Sequence, residues 1–325
     1  MLPALSPFTP QDGEDFVWRH VEKTIRTPAG MWRQLTPATN LALDPHTREV
    51  MIKAVPPPSH SRYPSNSEAQ ILAHLSSPEL RQHPENHTIP VMSIIECERA
   101  TFLVQARWGG WWFGDAPCSI RFWAGVQAVQ LLEGLAFMHE RGIIHGDIYT
   151  CNIVCNFNAR RTRPAPCRVF EEFKKSGNYR VAFIDFGQAM QFDLDSSSNG
   201  LGSSFSHGFN DRSDAHLQMR LPHTDIRAAP PHPRIEMPTP RPIRGPPDEF
   251  RAPEIDNCTT YDPFAADVFS VARLLLDLDP PLEIPAEYQA LLEDMTNVDP
   301  RARPSARRTL ERLQAISKIR SADWV

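Results

Sequence analysis

The sequence predicts an α+β fold with two lobes, and three observations support that class. The N-terminal third contains several short segments rich in β-branched and aromatic residues, which are typical of strands. The remainder contains longer segments in which apolar residues recur at spacings of three and four, as on the buried face of a helix. The chain has 325 residues and is long enough to bury a large core. Strands followed by helices in this order indicate an α+β architecture.

The first predicted strands form a hairpin, which a short helix follows. NLALD (40–44) and REVMIKAV (48–55) have the alternating pattern of paired strands, and the turn-like DPHT joins them. EAQILAHL (68–75) is predicted as a helix, and Ser65 is its expected N-terminal cap.

The later elements are four strands and three helices. The strands are predicted at IPVMSII, TFLVQA, NIVCN and RVAFIDF. Each helix is predicted from an apolar stripe, and the first spans about residues 119–140. The three stripes comprise Phe122, Val126, Val129, Leu132 and Leu135; Phe264, Val268, Val271 and Leu274; and Leu310, Leu313, Ile316 and Ile319.

Proline marks the segments that are not expected to fold. The 32 prolines concentrate near residues 56–64 and, together with serine, glycine and histidine, across about 195–250. The longer segment has no helical or strand period, and it cannot bury enough apolar surface to offset the entropy lost on ordering. We therefore expect a disordered insert at about 195–248 and expect its deletion to weaken the binding of a protein partner.

Net charge and hydropathy exclude several classes of function. The formal net charge is −5, so no basic excess is available to bind nucleic acid or anionic lipid. No apolar stretch approaches the roughly 20 residues that a membrane-spanning helix needs, and the N-terminus lacks the pattern of a signal peptide. We expect an intracellular protein, cytoplasmic or nuclear, with reduced cysteines, no nucleic-acid partner and no membrane span.

The strongest functional signal lies in GIIHGDIYTCNIV (142–154). Within it Asp147 is followed five positions later by Asn152, and an Asp-Phe-Gly that begins at Asp185 ends a later apolar strand. Phosphoryl transfer requires hard oxygen ligands for Mg²⁺, here Asn152 and Asp185. It also requires a carboxylate, here Asp147, that orients the accepting hydroxyl or takes its proton.

A cation is also required to hold the phosphates of ATP. Lys53 lies in VMIK, on the strand predicted at REVMIKAV, which would be the third strand of a kinase-type N-terminal sheet. Glu68 at the start of the next helix is placed to pair with it. The predicted catalytic residues are therefore Asp147, Lys53 and Glu68. Lys53, Asn152 and Asp185 are predicted to bind the cofactors ATP and Mg²⁺.

At these residues the chain resembles the eukaryotic protein kinase superfamily, over about residues 35–318. His145-Gly146-Asp147 with Asn152 resembles the catalytic loop, and Asp185-Phe186-Gly187 resembles the magnesium motif. Ala252-Pro253-Glu254 resembles the end of the activation segment. NHTIPVMSII and GLAFMHERGIIHGD are also similar to kinase-like proteins that are abundant in mushroom-forming fungi.

Three structural roles follow from this resemblance. Asp267 resembles the buried acid of the central helix of the C-lobe. Arg303 resembles the arginine that pairs with the glutamate of Ala-Pro-Glu, here Glu254. His145 resembles the kinase histidine that packs beneath the phenylalanine of Asp-Phe-Gly.

The resemblance also implies a bilobal architecture and an activity. It implies an N-terminal extension over 1–34, an N-lobe over 35–108, a C-lobe over 109–320 and a tail over 321–325. The implied reaction is the ATP- and Mg²⁺-dependent transfer of the γ-phosphoryl group to a serine or threonine hydroxyl of a protein. The implied partners are ATP and a protein substrate or scaffold partner.

Several departures from the family leave other functions open. MWRQLTPATN stands where three glycines usually cover the phosphates, and Met51 replaces a small alanine of the adenine pocket. These two features favour a pseudokinase scaffold. Gly146 replaces the arginine that reads a phosphorylated activation segment, and the same His-Gly-Asp occurs in small-molecule phosphotransferases. Tyr149 stands where serine/threonine kinases usually carry lysine.

Each predicted site residue also has a structural alternative. Asp147, Asn152 and Asp185 could simply cap turns or strand ends, since Asp and Asn commonly do so. Lys53 could be a strand lysine that extends to water. Ser65 and Glu68 have the spacing of a helix capping box, a role that Glu68 could combine with pairing to Lys53.

Overall fold

The structure, a computed structural model, describes the greater part of the chain outside its termini and the Pro-rich stretch. The described residues are 19–20, 39–43, 49–55, 67–96, 101–110, 120–156, 178–192, 237–238, 246–257, 260–278 and 285–319. The predicted disordered insert falls mostly outside these ranges, and so does Ser65. Two compact units divide the chain. The first contains Met1–Pro84, Thr88–Cys118 and Val154–Ile184, and the second contains Glu85–His87, Ser119–Ile153 and Asp185–Val325.

A five-stranded antiparallel sheet forms the main part of the first unit. Its strands are β1 (Arg19–His20), β2 (Thr39–Leu43), β3 (Glu49–Val55), β4 (Val91–Glu96) and β5 (Thr101–Ala106). The strand order is β1-β2-β3-β5-β4, so β3 lies at the centre. Leu41 is paired with Met51, which confirms the predicted hairpin, and Lys53 lies opposite Leu103 of β5.

Helix α1 (Glu68–Leu75) follows the sheet's central strand in the chain and packs against β4. Its N-cap is Ser67, whose hydroxyl accepts a hydrogen bond from the backbone N–H of Gln70 at 3.3 Å. The prediction of Ser65 as the cap was therefore wrong, and so was the Ser65–Glu68 capping box. The Ser-x-x-Gln spacing that suits a cap occurs two residues later, which leaves Glu68 as the first helical residue.

A smaller sheet completes the first unit. It has the order β6-β8-β9, with β6 at Gly109–Gly110, β8 at Ile153–Cys155 and β9 at Val181–Phe183. Beyond β8, the Asn156 side chain donates to the carbonyl of Asn178 at 2.7 Å and accepts from the backbone N–H of Arg180 at 2.8 Å. These bonds hold together the two ends of the intervening segment.

The second unit is mainly helical. Its helices are α2 (Ile120–His139), α3 (Pro253–Asn257), α4 (Pro263–Leu278), α5 (Ala286–Met295) and α6 (Ala306–Ile319). Two short antiparallel pairs accompany them: β7 (Ile143–Ile144) with β10 (Met190–Gln191), and β11 (Met237–Pro238) with β12 (Thr260–Tyr261). Helix α2 packs against both α4 and α6.

The apolar stripes predicted from the sequence form the core of this unit. Phe264, Val268, Val271 and Leu274 on α4 are all buried, as are Leu132 and Leu135 on α2 and Leu310 and Leu313 on α6. Mixed helix and strand is thus observed, which is compatible with the predicted α+β class. Among the described residues, no helix combines the length and the apolar character that a membrane span requires.

Candidate active site

Lys53 and Glu68 form the predicted ion pair in the first unit. The Lys53 ammonium group lies 2.7 Å from Oε1 and 2.8 Å from Oε2 of Glu68, so it binds both carboxylate oxygens. The side chains are 20% and 8% exposed, respectively, which makes this a largely buried pair rather than a mobile surface contact. The alternative of a lone strand lysine that extends to water is therefore wrong.

Sequence and packing together explain why this pair forms. Lys53 lies on the central strand β3, where neighbours on both sides fix the backbone. Glu68 is the first residue of α1, a position at which the helix dipole favours a carboxylate. Helix α1 is held by its buried residues Ala69, Ile71, Leu72 and Leu75, and its C-cap Ser76 accepts from the N–H of Val91 at 2.9 Å.

In the second unit, the loop that contains Asp147 is held by Asp267 of α4. The two carboxylate oxygens of Asp267 accept the backbone N–H groups of His145 at 2.7 Å and Gly146 at 2.9 Å. The ring nitrogen Nε2 of His139 lies 3.3 Å from the same carboxylate. Asp267 is 3% exposed, and these donors compensate for burying its charge. The buried carboxylate of Asp267 thus holds the backbone of this loop in one conformation.

Asn152 fixes Asp147 within that loop. The amide nitrogen of Asn152 donates to the backbone carbonyl and to the Oδ2 atom of Asp147, each at 2.8 Å. Both partners are acceptors, so the nitrogen of the amide must face Asp147 and its oxygen Oδ1 must face the other way. A carbonyl oxygen in this orientation is a suitable ligand for a hard cation.

Asp185 begins a second segment that runs antiparallel to the loop. Met190 and Gln191 of β10 pair with Ile144 and Ile143 of β7, and this register carries the residues after Asp185 back along the loop. Phe186 is buried and its ring centroid lies 4.9 Å from that of His145, which confirms the predicted contact. Asp147, Asn152 and Asp185 therefore belong to two joined segments of the same unit.

The backbone of Asp185 has an uncommon conformation. Its φ is 63° and its ψ is 71°, and it is the single residue other than glycine with positive φ among those the structure describes. The left-handed region costs an L-residue about 1–2 kcal/mol, although Asp tolerates it better than most. The side chain is exposed and accepts a long 3.4 Å bond from the N–H of Gly187. Strain of this kind is often found at functional sites.

Gly146 allows the two segments to approach closely. Its φ is +73°, and a Cβ atom added to it would lie 2.8 Å from the carbonyl oxygen of Gln188. Glycine adopts positive φ without steric cost and has no Cβ to oppose this approach. Glycine, which stands here where protein kinases carry arginine, is therefore required by the local backbone.

Residues 246–257 are anchored to the helices by several contacts, some of them buried. The carboxylate of Glu254 on α3 receives two hydrogen bonds from Arg303, at 2.6 and 2.8 Å, as predicted. The Ser270 hydroxyl on α4 donates to the carbonyl of Phe250 at 2.8 Å, and Arg273 donates to the carbonyl of Glu249 at the same distance. This segment is thus fixed at several successive residues.

Tyr149 lies between the Asp147 loop and this anchored segment. Its ring centroid is 6.3 Å from that of Phe250, in a tilted arrangement. Its backbone is extended and precedes a short 3₁₀ turn at Thr150–Asn152. Tyr149 thus connects the Asp147 loop to the anchored segment, at the position where serine/threonine kinases usually carry lysine.

The donor set of the second unit suits Mg²⁺ better than a transition metal. Asn152 and Asp185 supply amide and carboxylate oxygens, and Mg²⁺ is commonly held by one or two such ligands together with phosphate oxygens and water. In the described part of the chain, no group of three or more His, Cys, Asp or Glu residues is arranged to hold a metal. The oxygen donors of Asn152 and Asp185 are thus of the chemical type that Mg²⁺ takes.

Sequence reasoning missed two residues around Asp267. His139 contacts its carboxylate, and burial together with the charges of Asp267 and Glu254 raises the pKa of Tyr261 to about 12. The available signal for His139 was its position as a polar residue at the end of an apolar helical stripe. Tyr261 follows the Ala252-Pro253-Glu254 motif closely, but nothing in the sequence placed it near Asp267.

Comparison with known proteins adds no assignment. No family model matches the chain, and no curated protein matches it. Function is therefore inferred from the residues and their geometry.

Proposed function

We propose that this protein is a protein-kinase-like phosphotransferase with a bilobal kinase-like fold. It uses ATP and Mg²⁺ and transfers the γ-phosphoryl group to a serine or threonine hydroxyl of a protein substrate. The observation that carries the proposal is the double hydrogen bond from Asn152 to Asp147, on a loop joined to the Asp185 segment by the contact between His145 and Phe186. This combination is the one that in-line phosphoryl transfer needs.

Asp147 is assigned the role of orienting the acceptor. Asn152 holds its backbone carbonyl and its Oδ2 atom, so the carboxylate has a fixed direction before a substrate arrives. A carboxylate held in this way accepts a hydrogen bond from the incoming hydroxyl and takes its proton as the bond to phosphorus forms.

Asn152 and Asp185 are assigned as the metal ligands, through Oδ1 and the exposed carboxylate. When bound, Mg²⁺ supplies positive charge to the phosphate oxygens. The backbone of Asp185 is left-handed and the adjacent Phe186 is buried, so the position of the Asp185 Cα atom, from which the side chain extends, is fixed. A fixed backbone at Asp185 reduces the reorganisation needed when its carboxylate binds the metal.

Lys53 is assigned as the phosphate anchor and Glu68 as the residue that positions it. Two short bonds from the ammonium group to Glu68 limit the rotamers of a side chain that is otherwise flexible. The partial exposure of Lys53 leaves the ammonium group able to contact a phosphate oxygen. The same pair occurs in protein kinases, which supports the assignment.

A protein acceptor is favoured over a small molecule by the anchored segment at 246–257. The buried pair between Glu254 and Arg303 fixes a surface segment to the helical core. A substrate platform needs such rigidity, whereas a pocket for a small metabolite does not need this segment.

The second candidate is a pseudokinase scaffold that binds nucleotide weakly or not at all. MWRQLTPATN offers no glycines to bring backbone N–H groups close to phosphates, and Met51 lies on the central strand β3 in place of a small residue. In that case the Lys53–Glu68 pair has only a structural role, and the protein functions by binding other proteins.

Thermal melting with and without MgATP separates the two candidates. A nucleotide at a hundred times its dissociation constant stabilises the folded state by about 2.7 kcal/mol. We expect this stabilisation in the wild type, and expect Asp185→Asn to weaken it when Mg²⁺ is present. The matched control is Asp277→Asn, which removes an exposed carboxylate at the end of α4. No shift at millimolar MgATP would support the scaffold instead.

A further inference from the structure

A small cavity lies beside the Asp147 loop, within the second unit. Its volume is about 20 Å³, which is enough for one water molecule. Its polar lining comes from Gly146, Arg251, Tyr261, Asp267 and Ser270, and apolar side chains complete the wall. The lining is mostly apolar, but a cavity of this size with several hydrogen-bonding residues in its wall can hold a structural water.

The polar groups around this cavity differ in how far their bonding is satisfied. Asp267 accepts the N–H groups of His145 and Gly146, and the Ser270 hydroxyl bonds to the carbonyls of Phe250 and Ala266. Arg251 donates to the carbonyl of Pro246 through two nitrogens. The Tyr261 hydroxyl, by contrast, makes no hydrogen bond to any residue that the structure describes.

The hydroxyl of a largely buried tyrosine is expected to have a hydrogen-bond partner. Tyr261 is 7% exposed, and a buried hydroxyl usually finds a partner in protein or ordered water. Burial and the nearby carboxylates of Asp267 and Glu254 raise its pKa to about 12, so the phenol remains a neutral donor at physiological pH. A neutral donor close to a carboxylate, without a direct bond to it, is commonly bridged by water.

We propose that Tyr261 is a positioning residue for the Asp147 loop, acting through one water molecule bound in this cavity. The water accepts a hydrogen bond from the Tyr261 hydroxyl and donates one to the Asp267 carboxylate. Asp267 in turn holds the backbone of His145 and Gly146, next to Asp147. The water site itself follows from the cavity alone, whereas its effect on catalysis rests on the proposed function.

This water bridge would connect strand β12 with the Asp147 loop. Tyr261 lies on β12, between the anchored helix α3 and helix α4. Displacement of β12 would therefore alter the hydrogen bonding of Asp267, and with it the loop that orients the acceptor. Lys53 and Asp185 lie outside this loop, so binding of the nucleotide would be affected less than the orientation of the acceptor.

Tyr261→Phe removes the hydroxyl and keeps the ring, and two measurements on the full chain test the proposal. Hydrogen exchange, followed by NMR or by mass spectrometry, should show the amides of His145 and Gly146 exchanging about five- to tenfold faster, as expected for the loss of one hydrogen bond. The kcat for phosphotransfer should fall by a similar factor, with a smaller change in the KM for ATP. Tyr288→Phe is the control, because Tyr288 is a buried tyrosine of α5 that does not line the cavity.

The outcomes distinguish this proposal from the proposed function. Unchanged exchange in Tyr261→Phe, or a high-resolution crystal structure of the wild type that shows no water between Tyr261 and Asp267, would overturn the water site. Faster exchange with an unchanged kcat would overturn the positioning role. If the wild type transfers no phosphate, the proposed function fails while the exchange measurement and the crystal structure still decide the water site. The crystal structure also decides it if Tyr261→Phe does not fold.

Discussion

The amide group of Asn152 holds Asp147 by two hydrogen bonds, one to its backbone carbonyl and one to its carboxylate, each 2.8 Å long. One side chain thereby fixes both the path of the loop and the direction of the acid. The same contact leaves the amide oxygen to face away, where a cation can bind. The acid of the loop and the proposed metal ligand Asn152 therefore depend on each other.

Asn152→Asp should disrupt both functions of the residue. A carboxylate cannot donate to Asp147, and its charge would repel the Asp147 carboxylate at the same distance. We expect phosphotransfer to fall by at least about a hundredfold, the loss typical for a misdirected catalytic group. The control is Asn297→Asp, because the exposed Asn297 uses its side-chain oxygen to accept from Asp299, a role that Asp retains. Equal rates in the two variants would argue against the assignment of Asn152.

Glu68→Gln should weaken the binding of ATP. The neutral amide cannot hold the Lys53 ammonium group by two charge-assisted bonds, so the lysine loses its fixed position. Bonds to charged groups contribute about 1.5–3 kcal/mol, so the KM for ATP should rise about ten- to a hundredfold. Steady-state kinetics measure this rise, with Glu79→Gln at an exposed position as the control. An unchanged KM would show that Glu68 does not position Lys53 for the nucleotide.

Gly146→Ala should destabilise the fold. Gly146→Arg, which introduces the arginine found in protein kinases, should not make the activity respond to phosphorylation. The added Cβ would lie 2.8 Å from the carbonyl oxygen of Gln188, on a residue whose φ is +73°. Strained backbone conformations cost about 1–3 kcal/mol each, and chemical denaturation should show a loss of at least this size. If Gly146→Arg were as stable as the wild type and gained activity on phosphorylation, the requirement for glycine would be refuted.

Arg303→Lys should be strongly destabilising although it conserves charge. Lysine cannot make two parallel bonds to Glu254, and both side chains are almost fully buried, at 0% and 4% exposure. Breaking a buried pair of this kind costs about 3–5 kcal/mol. Arg308→Lys is the matched control, since Arg308 pairs with Glu311 at the surface and should change stability by under about 0.5 kcal/mol. Urea denaturation of both variants measures the difference.

The stability of the wild type should fall between pH 10 and pH 12 through Tyr261. Its pKa is about 12 in the folded state and 10 when free, so the fold favours the neutral phenol. This contribution is complete below pH 10 and is lost as the pH rises towards 12, by on the order of 2 kcal/mol. Denaturant titrations at several pH values should show a smaller decline in Tyr261→Phe. Identical pH dependence in both proteins would mean that Tyr261 is not buried near these carboxylates.

Residues that follow a strong local pattern could be predicted from the sequence. The β2–β3 hairpin and the helices that carry the three apolar stripes were expected from periodicity. The pair between Lys53 and Glu68 was expected from the residues that phosphoryl transfer requires. The contacts between Glu254 and Arg303 and between His145 and Phe186 were expected from the resemblance alone.

Other features depend on tertiary structure and could not be read from the chain. The cap of α1 is Ser67 and not the predicted Ser65. Two candidate serines lie close together, and N-cap propensity does not distinguish them. The positive φ of Gly146 and its approach to Gln188 require the pairing of β7 with β10, which joins distant segments. The same holds for Tyr261, whose environment is set by Asp267 and Glu254.

Transfer of labelled phosphate from γ-labelled ATP to a generic protein substrate is the most direct test of the central claim. The purified wild type should transfer label only with Mg²⁺ present, Asp147→Asn should reduce the rate by at least about a thousandfold, and Asp277→Asn should leave it unchanged. Equal transfer by the wild type and Asp147→Asn, or no transfer by the wild type with any acceptor tested, would contradict a phosphotransferase centred on Asp147.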